Sequence, residues 1–300
     1  MHIEQLGQGP DLVLLHGWGL HAGVWESLRA PLARRYRLHL VDLPGYGRSR
    51  DIDPPTTTEE LAAALVQQTP AGALWLGWSL GAQIALLAAH RSPEHVHRLV
   101  LVAATPCFVT RAGWPMAMAP DVFSDFSSGL LQDWRATLTR FLGLMAADPR
   151  HDRDMLQALR VTLMSRGEPA TARSLARGPR LDPIGEPATA RSLARGPRTR
   201  VPGVPPITPP IGEPATAALA GGLEWLRHND LRPLLGAIRQ DTLLIQGDRD
   251  RLVPTPATAA MAAMMPNART CLVAGAGHAP FLSHPDLFLS RLETFLAEAA

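Results

Sequence analysis

A serine with a glycine two residues to either side, Gly77-Trp78-Ser79-Leu80-Gly81, lies between the apolar run 73–76 and a string of helix formers at 82–89. That is the setting of a nucleophile elbow, in which a strand turns sharply into a helix and presents a hydroxyl at the helix N-terminus. Backbone N–H groups and the helix dipole there favour the negative charge that develops during attack on a carbonyl. Ser79 is therefore the expected nucleophile. A serine hydroxyl needs a base to remove its proton. Of eleven histidines, His278 is the best placed, on the Gly275-Ala276-Gly277-His278-Ala279-Pro280 loop between the last apolar strand-like run and the last helix. His284 begins that helix and reads as a capping neighbour. His90, His95, His97, His151 and His228 read as surface residues.

A carboxylate must hold the imidazole in the tautomer that can accept a proton from serine. The loop Gly247-Asp248-Arg249-Asp250-Arg251-Leu252-Val253-Pro254 offers two. Asp248 directly follows a strand-like run, where capping a turn is natural, whereas Asp250 lies deeper in the loop and is the favoured partner of His278. The order Ser, Asp, His is that of α/β-hydrolases and differs from those of chymotrypsin and subtilisin. The developing oxyanion needs two N–H donors, for which Leu80, after the serine, and Trp18, in His16-Gly17-Trp18-Gly19, are the candidates. His16 reads as a brace for that loop, and 42–49 as a turn at the edge of the site. The sequence contains no Walker-type loop, dinucleotide fingerprint or metal-ligand spacing, so no metal and no cofactor is implied.

These residues need a frame that brings distant loops together. Strand-length apolar runs recur at 12–15, 38–41, 74–78, 99–103, 242–246 and 270–274. Helical patterns fall between and after them, at 24–34, 59–68, 80–90, 256–264 and 286–298. Such alternation predicts an α/β fold with a mostly parallel sheet and helices on both faces. From 108 to 230 the strand rhythm stops and helices are expected at 130–145, 153–164 and 215–227, which predicts a helical lid inserted into a core made of 1–107 and 231–300. Within the lid, the fourteen residues 167–180 recur unchanged at 185–198, and the string PIGEPATA occurs at 183–190 and again at 210–217. These offsets match no solenoid repeat. Rich in Gly, Pro and Arg and poor in large apolar residues, 167–214 is expected to be a mobile surface excursion.

With 46% hydrophobic residues over 300 positions, the chain can bury a large core. Its first residues, Met-His-Ile-Glu-Gln-Leu, form neither a basic leader nor an apolar stretch, and nowhere do eighteen apolar residues run together. A cytoplasmic protein that does not enter membranes is expected, and a monomer. Cys107 and Cys271 stand far apart and read as free thiols. All 29 basic residues are arginine, and 135–200 holds thirteen of them against six acidic residues, although the whole chain carries only +2. Positive charge is thus concentrated in the lid while the body is negative, a segregation that favours an acidic partner surface. No nucleic-acid motif is present, and the body would repel phosphate, so no nucleic-acid partner is expected.

Four stretches resemble the pimeloyl-[acyl-carrier protein] methyl ester esterases of biotin synthesis, the BioH-like proteins. They are Leu14-Leu15-His16-Gly17-Trp18-Gly19-Leu20, the elbow at 77–81, Gly221-Gly222-Leu223-Glu224-Trp225-Leu226 with Asp230-Leu231-Arg232 beyond it, and Gly277-His278-Ala279-Pro280-Phe281-Leu282-Ser283-His284-Pro285. The resemblance implies hydrolysis of a pimeloyl methyl ester carried on acyl carrier protein, releasing methanol and the free acid. It also implies that the Asp preceding Leu252-Val253-Pro254 on its loop, Asp250, completes a triad with Ser79 and His278, that Trp18 and Leu80 stand at the oxyanion positions, and that the acyl chain lies near Arg140, Phe141 and Leu142. Arg135, Arg140, Arg153 and Arg160 are the implied counterparts of lid arginines that meet the acidic carrier. The repeat at 167–214 departs from the family pattern.

Overall fold

The computed structural model describes residues 1–148, 152–164 and 214–298. The repeated segment, apart from its last residue, and His151 lie outside the described residues. The chain opens with β1 (His2–Leu6) and β2 (Asp11–Leu15), passes through a 3-10 turn (Ala22–Trp25) into α1 (Glu26–Ala33), and continues as β3 (Arg37–Asp42), α2 (Thr58–Gln68), β4 (Ala73–Trp78), α3 (Leu80–Arg91) and β5 (Val96–Val102). Four helices follow, α4 (Pro120–Gln132), α5 (Trp134–Met145), α6 (Arg153–Met164) and α7 (Thr216–His228). The sheet then resumes: α8 (Arg232–Leu235), β6 (Asp241–Gly247), α9 (Thr255–Met264), β7 (Ala268–Val273), α10 (Pro280–Ser283) and α11 (Pro285–Ala297). Among the described residues no helix is long and apolar enough to cross a membrane.

Among the described residues, seven strands form one sheet in the order β1-β3-β2-β4-β5-β6-β7. Only β1 runs antiparallel, pairing His2 with Asp42 and Leu6 with Leu38. Every residue of β4 is buried, as expected of a parallel strand covered by helices on both faces. The half-buried β1 carries His, Glu and Gln and has no apolar run to mark it, so the sequence alone does not reveal it. Both sheet edges are more polar, and β7 is exposed at three of its six positions.

Topology concentrates the functional loops at one edge. The chain leaves β2 for β3 on one side and then crosses to β4 on the other, so β2 and β4 flank a switch point where the loops at their carboxyl ends face a common crevice. Register aligns Leu15 with Gly77, Trp78 with Val102, Val102 with Ile245, and Gly247 with Val273. The loops that follow β2, β4, β6 and β7 hence emerge on one rim. The helical insertion leaves the sheet after β5 and returns before β6. Its predicted helix at 130–145 is two helices, because Asp133 turns extended (φ −150°) and caps α5 by accepting from Ala136 N–H at 3.0 Å. A side-chain acceptor at that position satisfies an orphan N–H and so starts a new helix.

Candidate active site

Ser79 sits between β4 and α3 with φ 55° and ψ −113°, a conformation that costs a non-glycine residue about 1–3 kcal/mol. Neighbouring structure enforces it. Ser79 N–H donates to Val102 O on β5 at 2.9 Å. A Cβ at Gly77 would lie 2.5 Å from Gly81 O, and one at Gly81 would lie 2.4 Å from Leu15 O and 2.7 Å from His16 O. Both glycines are therefore demanded by backbone approaching backbone, and the second approach sets the first turn of α3 against the loop that follows β2. The result is a half-exposed Ser79 between buried flanks.

His278 arrives on the loop after β7. Its Nε2 stands 3.0 Å from Ser79 Oγ and its Nδ1 2.7 Å from Asp250 Oδ2, with the imidazole and carboxylate side chains fully buried. An ionised carboxylate only accepts, so Nδ1 carries the proton and Nε2 is left to accept from the serine hydroxyl. The backbone of His278 is also held at both polar groups: its N–H donates to Met145 O at the end of α5, and its carbonyl accepts from the Trp78 indole, each at 2.8 Å. Asp250 Oδ1 accepts from the N–H groups of Leu252 and Val253 at 2.8 and 3.1 Å, while Gln246 Nε2 reaches Oδ2 at 2.8 Å. Asp248 is exposed and accepts from Gly275 N–H at 2.7 Å, bracing one loop on the other.

Leu80 and Trp18 are both buried, on the first turn of α3 and on the loop after β2 against which Gly81 packs. Neither backbone N–H donates to a protein acceptor among the described residues. His16 is not a second base. Its Nε2 accepts from Leu43 N–H at 3.0 Å, its Nδ1 meets Gly17 O at 2.8 Å, and complete burial holds its pKa down to about 4. The turn at 42–49 is tied to the insertion, since Tyr46 O–H donates to Ala218 O at 2.9 Å and Gly45 O accepts from Ala215 N–H at 2.8 Å.

The insertion closes over Trp18. The indole donates to Leu219 O of α7 at 2.9 Å, and its ring meets Phe141 of α5 edge-on at 5.0 Å and Phe126 of α4 at 5.5 Å. Phe141 and Leu142 are buried, but Arg140 is exposed and extends its guanidinium over Gly129 of α4. The geometry thus divides the trio proposed from sequence: Phe141 packs against the Trp18 ring, and Arg140 faces outward. Arg135, on α5, stacks on Trp134 at 4.4 Å, while Arg153 and Arg160 are exposed on α6. Two surface clefts, of about 570 and 320 Å³, are lined by neither Ser79 nor His278. The contacts of Trp78, Gln246 and Met145 with the His278–Asp250 pair had no sequence motif; the one available signal was an amide, Gln246, directly after the apolar run 243–245.

Comparison with known proteins agrees with this architecture. A family model described as the alpha/beta hydrolase family matches residues 12–291. The chain is 40% identical over 297 residues to a pimeloyl-[acyl-carrier protein] methyl ester esterase from Xanthomonas campestris pv. campestris (strain B100), covering 99% of each chain. It is 37% identical over 290 residues to a protein of the same name from Nitrosomonas europaea, covering 97% of each. Among solved structures, an esterase from Exiguobacterium antarcticum superposes with a TM-score of 0.75 at 23% identity, over 99% of this chain and 95% of that one. The last likeness is one of fold.

Proposed function

This chain belongs to the alpha/beta hydrolase family and, within it, to the pimeloyl-[acyl-carrier protein] methyl ester esterases, and from that premise we propose that Ser79, His278 and Asp250 hydrolyse the methyl ester of a pimeloyl group carried on acyl carrier protein. The observation that carries the mechanism is the unbroken contact from Asp250 Oδ2 through His278 to Ser79 Oγ, at 2.7 and 3.0 Å. His278 Nε2 takes the serine proton as Oγ attacks the ester carbonyl. The oxyanion is met by the N–H groups of Trp18 and Leu80, each such donor being worth about 3 kcal/mol in the transition state. The C–OCH3 bond then breaks, His278 returns its proton to the leaving oxygen, and methanol departs. Water enters, gives a proton to His278 and attacks the acyl-enzyme; Ser79 leaves with that proton and the free acid is released. Asp250 stays ionised throughout and stabilises the imidazolium.

In this reading the core comprises 1–107 and 231–300, and 108–230 is the lid. Phe141 and Leu142 belong to the buried lid wall along which the acyl chain lies. Exposed Arg135, Arg140, Arg153 and Arg160 form the face presented to the acidic carrier, and the charge segregation along the sequence supports that role. The experiment is hydrolysis of carrier-linked and free pimeloyl methyl esters by wild type and Ser79→Ala. Turnover that vanishes in the variant, with preference for the carrier-linked ester in wild type, supports the proposal. Equal use of both esters would point to a general carboxylesterase, and turnover retained by Ser79→Ala would overturn the triad.

A further inference from the structure

A buried amide directly after an apolar run, near the end of a strand, needs a reason. β6 runs Leu243-Leu244-Ile245-Gln246 under full cover, and Gln246 is completely buried. A leucine there would be cheap, whereas a buried amide is tolerated only when its hydrogen-bonding capacity is met. Here it is met on all sides. Gln246 Nε2 donates to Asp250 Oδ2 and to Val253 O, both at 2.8 Å, and Oε1 accepts from Thr258 Oγ1 of α9 at 3.1 Å. Acceptors on the nitrogen side, with Gly247 O a third at 3.4 Å, and a hydroxyl on the oxygen side leave the amide a single orientation.

The consequence falls on Asp250. Each of its oxygens accepts from two groups: Oδ1 from Leu252 and Val253 N–H, Oδ2 from Gln246 and from His278 Nδ1. We infer that Gln246, oriented by Thr258, is a positioning residue for the reaction: it aims Oδ2 at His278 and takes a share of that oxygen's charge. The inference rests on the triad reading above. Thr258 strengthens the effect, because a donor on the amide oxygen polarises the amide and makes its N–H groups better donors. Of the other charged side chains of this loop, Asp248 accepts from Gly275 N–H, the Arg251 guanidinium donates to Ala147 O, and Arg249 is exposed.

The sign of the effect follows. Without the amide, the whole of the charge on Oδ2 is left to the imidazolium, which becomes harder to deprotonate, while the carboxylate gains freedom to turn. A merely structural role for Gln246 would lower stability and leave the pH profile in place. The test measures kcat and kcat/KM against pH for wild type, Gln246→Met and Thr258→Val with a short p-nitrophenyl ester, with Ser79→Ala alongside. For Gln246→Met the acid limb of kcat/KM is expected to move up by about half a pH unit or more. Its kcat should fall roughly tenfold with KM unchanged, and Thr258→Val should move both in the same direction by less. If Gln246→Met does not fold, Thr258→Val, which is isosteric, decides alone. An acid limb that stays in place or moves down while Ser79→Ala is inactive overturns the inference and leaves the triad standing. Activity in Ser79→Ala overturns the triad and the inference with it.

Discussion

The indole N–H of Trp78 donates to the carbonyl of His278 at 2.8 Å, across 200 positions of sequence. The residue that precedes the nucleophile in the chain thus also holds the loop that carries the base. Trp78 is fully buried, and its ring lies 5.8 Å from the imidazole and 5.1 Å from Phe281.

Trp78→Phe keeps most of the ring packing and deletes the donor, leaving a buried carbonyl unpaired at a cost of about 1–3 kcal/mol. Thermal unfolding should report that loss, and kcat for a short ester should fall about tenfold as the base loses registration with the serine. Unchanged kcat would show that Met145 and the remaining loop contacts hold His278 without the indole.

The two aspartates of the β6 loop should separate cleanly. Asp250→Asn replaces the acceptor of His278 Nδ1–H with a group that can hold the wrong tautomer, and kcat should fall by about three to four orders of magnitude. Asp248→Asn alters an exposed brace to Gly275 and should cost less than about tenfold. Steady-state kinetics of both variants at neutral pH is the measurement, and a larger defect in Asp248→Asn would reassign the carboxylate.

His16 makes stability depend on pH. Burial holds its folded pKa at about 4 against an ordinary 6.5, so between these values the unfolded chain binds a proton that the folded chain does not. Stability then rises with pH: the contribution is present in full above 6.5 and is lost as pH falls towards 4, a loss on the order of 3 kcal/mol. His16→Gln should unfold at a lower temperature at pH 7.5 and show a shallower decline from pH 6.5 to 4.5. Parallel melting curves for the two proteins would contradict this.

Arg153 and Arg160 are exposed on α6, where each pairing with a carboxylate is individually weak and screened by salt. Their expected contribution is to encounter with the carrier. Arg153→Glu with Arg160→Glu should raise KM for the carrier-linked ester about tenfold and remove much of its salt dependence, with a p-nitrophenyl ester turned over within about twofold of wild type. Equal damage to both substrates would mean that the arginines serve the fold of the insertion.

Local signals in the sequence determined the fold class and the candidates for chemistry. Apolar runs of strand length marked six of the seven strands, and the Gly-x-Ser-x-Gly string between a run and a helix marked Ser79, because burial on both faces and the crowding of an elbow constrain residue type position by position. Where the constraint came from elsewhere in the chain, sequence was mute. The half-polar β1 is held by pairing with β3 instead of by its own pattern, and Asp133 divides 130–145 through a cap that looks like any exposed acid. Of the two aspartates on one loop, position favoured Asp250, but only the folded chain supplies the contacts that hold it to His278 and Asp248 to Gly275. The roles of Trp78, Met145 and Gln246 arise in the same way, since a hydrogen bond made by the path of a loop or the end of an inserted helix has no period and no spacing. What the tertiary structure decided was geometry: which donor meets which acceptor at a rim assembled from four loops far apart in sequence.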